Sequence, residues 1–146
     1  MNKLKSTSAV LYFFVAVMTA GMGINFITAA EYFSYHQQIS GLDWSQVQPG
    51  LKLVYLAVFK VCGGAAITVS LSMFLMIIFP FIKYDDRWSF YAIPVCGLVF
   101  WSITLATTLY VYSTTGAATP WLASLSCVIT IIFAFIISLF SLKKAV

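Results

Sequence analysis

An all-α fold of four membrane-crossing helices is predicted by three observations: charge is scarce, the apolar runs are long, and six of the eight lysines and arginines fall on one side. Of the 146 residues, 62% are hydrophobic and only 8% are charged. Mean hydropathy is +0.98. Soluble domains carry about a quarter charged residues. A water-soluble fold of this size would have to expose large apolar patches, and a bilayer removes that problem. Length and spans together indicate a single transmembrane domain over 1–146.

A spanning helix needs about 20 apolar residues. Four stretches meet that requirement, running from about Ala9 to Tyr32, Leu51 to Phe79, Trp88 to Tyr112 and Pro120 to Leu142. The connections carry helix breakers. Pro49-Gly50 precedes the second helix, and proline suits a first helical turn. Pro80 is placed to end that helix. Asp85-Asp86 precedes the third, where a carboxylate can cap free amides. Thr119-Pro120 offers a capping hydroxyl and then proline before the fourth, and Gly116 supplies the turn. Pro94 removes one backbone bond early in the third helix and predicts a kink.

Orientation follows from the basic residues. Lys3 and Lys5 precede the first helix, Lys83 and Arg87 lie between the second and third, and Lys143 and Lys144 follow the fourth. Four crossings put all six on one side. The opposite loops, about Phe33 to Gln48 and Ser113 to Thr119, contain neither lysine nor arginine. The expected arrangement is an up-down bundle with both termini cytoplasmic. The first apolar run could instead be a signal peptide after Lys3 and Lys5. It continues to Ala30, however, and Met18-Thr19-Ala20 is a poor cleavage site, so it reads as a retained helix. Tyr32, Phe33, Tyr35, Trp44, Tyr110, Tyr112 and Trp121 gather toward the outer interface. Phe81, Tyr84, Trp88 and Tyr91 gather toward the inner one, as in membrane aromatic belts.

The formal net charge of +4 does not indicate nucleic acid, because the basic residues are few and sit at the ends of apolar runs. Cys62, Cys96 and Cys127 each lie alone, with no CxxC for redox or metal chemistry, and read as small packing residues.

Helices associate in lipid through small and polar faces. Helical spacing groups Ala123, Cys127, Thr130, Ala134, Ser138 and Ser141 on the fourth helix, with Ile131, Phe133, Phe135 and Ile136 directed elsewhere. On the third it groups Gly97, Trp101, Thr104, Thr108 and Tyr112. On the first it groups Gly21, Asn25, Thr28 and Glu31, and on the second Lys52, Lys60, Gly63 and Gly64. The last two faces are expected to meet.

Ionisable groups within spans are functional candidates. Lys60 admits two readings: its ammonium snorkels to the outer headgroups, or it pairs with Glu31 inside the bundle. His36, the lone histidine, lies in the outer loop between Glu31 and Asp43. It could serve acid–base chemistry or simply stand at the interface. Asn25 either bonds across helices or meets a ligand. The candidate polar cluster is therefore Asn25, Glu31, His36 and Lys60. No phosphate-binding, metalloprotease or haem-attachment motif is present, and one histidine cannot supply two axial haem ligands. No cofactor, metal or catalytic residue is expected.

Tyr35-His36, Trp44, Pro49, the Gly63-Gly64 region, Arg87-Trp88 and the run Thr115-Gly116-Ala117-Ala118-Thr119-Pro120-Trp121 carry a family resemblance. Through them most of the chain resembles the small four-helix bacterial inner-membrane proteins of unknown function grouped as DoxX-like. That resemblance implies a four-helix membrane fold and no particular activity. The expected function is that of a multi-pass inner-membrane protein, a non-enzymatic accessory or hydrophobic-ligand-binding bundle. Its expected partners are the bilayer and either a second copy of itself or another membrane protein. One rival is a small oligomeric transporter or channel using Glu31, Lys60 and Asn25. Another is a membrane enzyme acting on a lipid or quinone at the outer face with His36, Glu31 and Asp43.

The orientation is testable by thiol labelling after Cys62→Ser, Cys96→Ala and Cys127→Ala. Ser45→Cys should react with a membrane-impermeant maleimide in intact spheroplasts, and Asp86→Cys only after permeabilisation. The reverse pattern would invert the topology.

Overall fold

The computed structural model describes residues 3–143 of the chain. Lys144 lies outside them, as does the side chain of Lys143. Helix α1 spans Lys3–Thr28 and the short α2 spans Ser34–Ser40. A 3-10 turn at Trp44–Gln46 follows. Helix α3 spans Pro49–Met76 and continues as a π turn over Ile77–Lys83. Helices α4 and α5 span Ser89–Thr115 and Trp121–Lys143. The described residues contain no strand. The four long helices are apolar and long enough to cross a membrane, which suggests a multi-pass membrane protein.

Several boundaries depart from expectation for physical reasons. Helix α1 starts earlier, at Lys3, and ends at Thr28, so Glu31 lies beyond its last turn. Pro80 does not end α3. Proline lacks an N–H and its ring crowds the carbonyl four residues back. The backbone answers by widening into a π turn, in which the Tyr84 N–H donates to the Phe79 carbonyl at 2.9 Å. The connection between α1 and α3, read from the sequence as a loop, contains α2 and the 3-10 turn. Gly116 does supply the expected turn: its φ is +70° and its N–H closes α4 on the Tyr112 carbonyl.

Neither expected cap operates through its side chain. Asp85 takes a φ of +57°, and its carboxylate accepts the Lys5 ammonium at 2.5 Å. The Lys5 side chain is only 9% exposed and its Nζ lies 5.5 Å from the Phe81 ring centre and 5.9 Å from that of Phe90. A lysine read as a topology marker therefore also ties α1 to the α3–α4 connection. Asp86 serves through its backbone: its carbonyl accepts the Ser89 hydroxyl at 2.6 Å and the Ser89 amide at 3.1 Å. The Thr119 hydroxyl donates to the Thr108 carbonyl of α4 at 2.9 Å rather than capping α5.

Helix α1 packs between α3 and α5, and α4 packs on α5 and α3. The buried positions of α1 include Lys5, Ser8, Tyr12, Val15, Thr19 and Gly23, at spacings of three or four. On α3 they are Phe59, Gly63, Ala66, Ser70 and Met73. The two stripes meet at Gly23 and Gly63. A Cβ on Gly23 would lie 2.9 Å from the Gly63 carbonyl oxygen, and one on Gly63 would lie 2.7 Å from that of Gly23. Only hydrogen fits between these backbones. Of the two faces expected to meet, Gly63 does take part, but against Gly23; a Cβ on Gly21 or Gly64 would meet nothing within 4 Å.

Buried hydroxyls and one indole tie the helices further. Ser70 Oγ donates to the Ala16 carbonyl at 2.8 Å. Trp101 Nε1 donates to Thr19 Oγ1 at 3.0 Å, and that hydroxyl donates to the Val15 carbonyl. On α5, Cys127, Ala134, Ser138 and Ser141 are buried as the spacing predicts. Ile131 is buried too, contrary to expectation, while Ala123 is exposed and Ser124 takes the inner place. The reason is Gly97: its missing side chain leaves room for Ile131, whose Cδ1 would stand 3.0 Å from a Cβ there. Tyr112, expected inside, is 44% exposed.

Gly23→Ala and Gly63→Ala should each destabilise the protein by about 1–3 kcal/mol through overpacking. Gly64→Ala should be close to neutral. Thermal unfolding in detergent compares the three, and equal effects would remove the special place given to this contact.

Candidate ligand cavity

The helix faces that do not close against each other leave a cleft of about 680 Å³ between α1, α4 and α5 at the α2 end of the molecule. Helix geometry accounts for its position. At about 100° per residue, Gly21 and Asn25 stand roughly 160° around α1 from Gly23. Pinning Gly23 to α3 therefore turns Gly21 and Asn25 toward α4 and α5. Val17, Met18, Met22 and Phe26 complete the α1 wall, Trp101, Thr104 and Thr108 form the α4 wall, and Ala123 and Ser124 come from α5, with Pro120 just before it. Trp101, bonded to Thr19, stands at the inner end. Phe33, Ser34 and Tyr35 cover the other end.

The wall is mostly apolar and contains no charged side chain. Its hydroxyls are largely committed. Thr104 donates to the Phe100 carbonyl, Thr108 to the Thr104 and Leu105 carbonyls, and Ser124 to the Pro120 carbonyl. Burial pushes the Tyr35 phenol up to about 12, so it stays neutral at any physiological pH.

The cover is fastened at three places. Gln38 Oε1 accepts the Ala118 N–H at 2.9 Å, tying α2 to the α4–α5 connection. Phe33 and His36 pack on Phe59 of α3, with ring centres 5.3 Å apart in both pairs. The Tyr32 hydroxyl donates to the Leu42 carbonyl, and the Tyr32 ring meets Trp44 edge-on. His36 also closes the first turn of α2. Its Nδ1 accepts the Phe33 N–H at 3.2 Å and its own N–H donates to the Phe33 carbonyl at 2.8 Å. This resembles a capping box with imidazole in place of a carboxylate or amide.

The four sequence candidates have different surroundings. Asn25 faces the cavity. Glu31 is exposed beside a second, shallow cleft of about 500 Å³ that also includes Asp43 and Gln37. His36 belongs to the aromatic cover, and Lys60 is exposed on α3. Glu31 and Lys60 do not form the ion pair that was one reading of Lys60; among the described residues the ion pair is Lys5 with Asp85. Glu31 lies beyond the end of α1 at Thr28, outside the helical face that was to carry it, and both side chains are exposed. Sequence reasoning placed Phe33 in an aromatic belt rather than over a cavity, and it did not single out Ser34 or the Trp101–Thr19 bond. A signal for the bond existed in the spacing of Ser8, Tyr12, Thr19 and Gly23 along α1. No family model, curated protein or solved structure matches the chain.

Burial holds the His36 imidazole below its ordinary pKa, because desolvation disfavours the cation. The folded cover thus favours the neutral ring. Its stability is complete above the unfolded value of about 6.5 and falls as pH drops through the lowered folded value. Protonated Nδ1 can no longer accept the Phe33 N–H. Hydrogen-exchange protection factors over residues 33–37 should fall between pH 8 and pH 5, and His36→Ala should abolish that dependence. A pH-independent wild-type protection would contradict this account.

Proposed function

We propose that the chain is a multi-pass inner-membrane protein that binds a hydrophobic ligand in the cavity between α1, α4 and α5. In this reading it is an up-down four-helix bundle with both termini cytoplasmic, and α2 covers the cavity on the outer side. Six of the eight basic residues, gathered at the termini and in the α3–α4 connection, support the orientation. The resemblance to DoxX-like inner-membrane proteins belongs to the same proposal. The bilayer is its first partner, and association with a second copy or another membrane protein remains compatible with it.

The observation that carries the reading is the cavity itself. Its volume of about 680 Å³ lies within the usual range of small-ligand sites, roughly 300–1,000 Å³. Its mainly apolar wall with few polar groups has the usual composition of such sites. An accessory or binding role is favoured over transport because Asn25, Glu31 and Lys60 have separate surroundings and outline no shared polar path. An enzyme using His36, Glu31 and Asp43 gains no support, since the His36 Nδ1 is engaged by the Phe33 N–H.

Gly21→Leu tests the proposal, because a side chain there meets no neighbour at its Cβ and extends into the cavity. A diazirine-bearing long-chain alkane should photolabel segments 17–26 and 101–108 in the wild type. Labelling there should fall at least several-fold in Gly21→Leu while the fold is kept. Labelling spread evenly over all four helices, and unchanged by the substitution, would defeat the reading.

A further inference from the structure

Asn25 stands out among the polar groups that α1, α4 and α5 give the cavity wall. Its carboxamide has two donor hydrogens and an acceptor oxygen, yet it makes no hydrogen bond with the described residues. Thr104, Thr108 and Ser124, by contrast, each donate to a carbonyl of their own helix. Asn25 is exposed rather than packed, and in a membrane span there is no bulk water to satisfy its amide. A partner arriving with the ligand fills that need.

The electrostatics narrow the ligand further. Asn25, Tyr35 and the hydroxyls are the polar groups of a wall that holds no charge, and Tyr35 is neutral. The formal charges nearest the α2 end stand outside the wall: Glu31 and Asp43 belong to the other cleft, and the Lys52 ammonium lies over Trp44. A charged headgroup drawn into the cavity would be desolvated with no counter-ion. An uncharged group carrying a carbonyl or hydroxyl would lose nothing and would satisfy Asn25. The volume admits an acyl chain with such a group rather than an entire two-chain phospholipid.

We infer that the cavity takes an uncharged acyl lipid from the bilayer, of the monoacylglycerol kind, with its ester carbonyl or hydroxyl bonded to the Asn25 amide and its chain against Trp101. This inference rests on the ligand-binding reading above and adds the class of ligand. Asn25 selects by hydrogen bonding, and the uncharged wall selects against ionic heads.

The test uses the full chain in nanodiscs with Trp44→Phe, Trp88→Phe and Trp121→Phe, so that Trp101 alone reports. The probes are a chain-brominated monoacylglycerol and a chain-brominated alkyl sulfonate of equal length, and the readout is saturable quenching of Trp101. The monoacylglycerol should bind at least about tenfold more tightly than the sulfonate, the equivalent of roughly 1.4 kcal/mol. Asn25→Leu, similar in size, should weaken the monoacylglycerol about three- to tenfold, as expected for one lost hydrogen bond, and leave the sulfonate unchanged. Asn25→Gln should restore part of the loss. Equal quenching by both probes, or indifference to Asn25→Leu, overturns the inference. If Gly21→Leu still blocks both probes in that case, the cavity reading survives without its ligand class. Quenching that Gly21→Leu does not alter defeats both.

Discussion

The backbone approach of α1 and α3 at Gly23 and Gly63 governs the arrangement of the remaining helices. Lipid tails are as apolar as leucine, so helices in a bilayer gain little from hiding apolar side chains. They gain from close van der Waals packing, which is largest where no side chain holds the backbones apart. A methyl group at either glycine would fall within 3 Å of the opposite carbonyl oxygen. Once this contact is made, the rotation of α1 about its own axis is set. Thr19 is brought to Trp101, Ala16 to Ser70, and the Gly21–Asn25 face is left toward α4 and α5.

The opposite end of the molecule depends on another kind of fastening. Around Lys5, burial of the stem beside Phe81 and Phe90 is combined with an ion pair to Asp85. Because Asp85 is 66% exposed, solvent screens the pair, and its worth is that of an exposed one, about 0–1 kcal/mol. Its effect is geometric, holding the start of α1 against the π turn that Pro80 imposes. At the α2 end the fastening is aromatic. Tyr32, Phe33, His36 and Phe59 build a small satellite core under the connection, and each ring pair can add about 0.5–1.5 kcal/mol beyond burial.

Individual residues mark how far sequence reasoning reaches. Gly97, Trp101, Cys127, Ala134 and Ser138 were assigned inward by spacing, and they are buried. Gly116 was assigned a turn and has the positive φ that glycine tolerates. Pro80 was assigned a stop, but a wider helical turn absorbed it. Asp85 was assigned a cap, but a buried ammonium 80 residues away competed for it. Thr119 was assigned a cap as well, and a carbonyl of the neighbouring helix took its hydroxyl. The two failed caps share one cause: a local rule lost to a partner in another helix.

What the sequence by itself determined is therefore the set of four long apolar helices, their approximate limits, and the placing of six of the eight basic residues at the termini and between the second and third helices. These depend on composition and on periodicity within about 20 residues. The tertiary structure alone decided which glycine pair meets, and so which way Asn25 points. Glycines two positions apart on α1 look equivalent in the sequence, yet they lie on nearly opposite sides of the helix. Choosing between them requires the surface of the facing helix. That choice separates Asn25 from Lys60 and opens the cavity on which the proposed function rests.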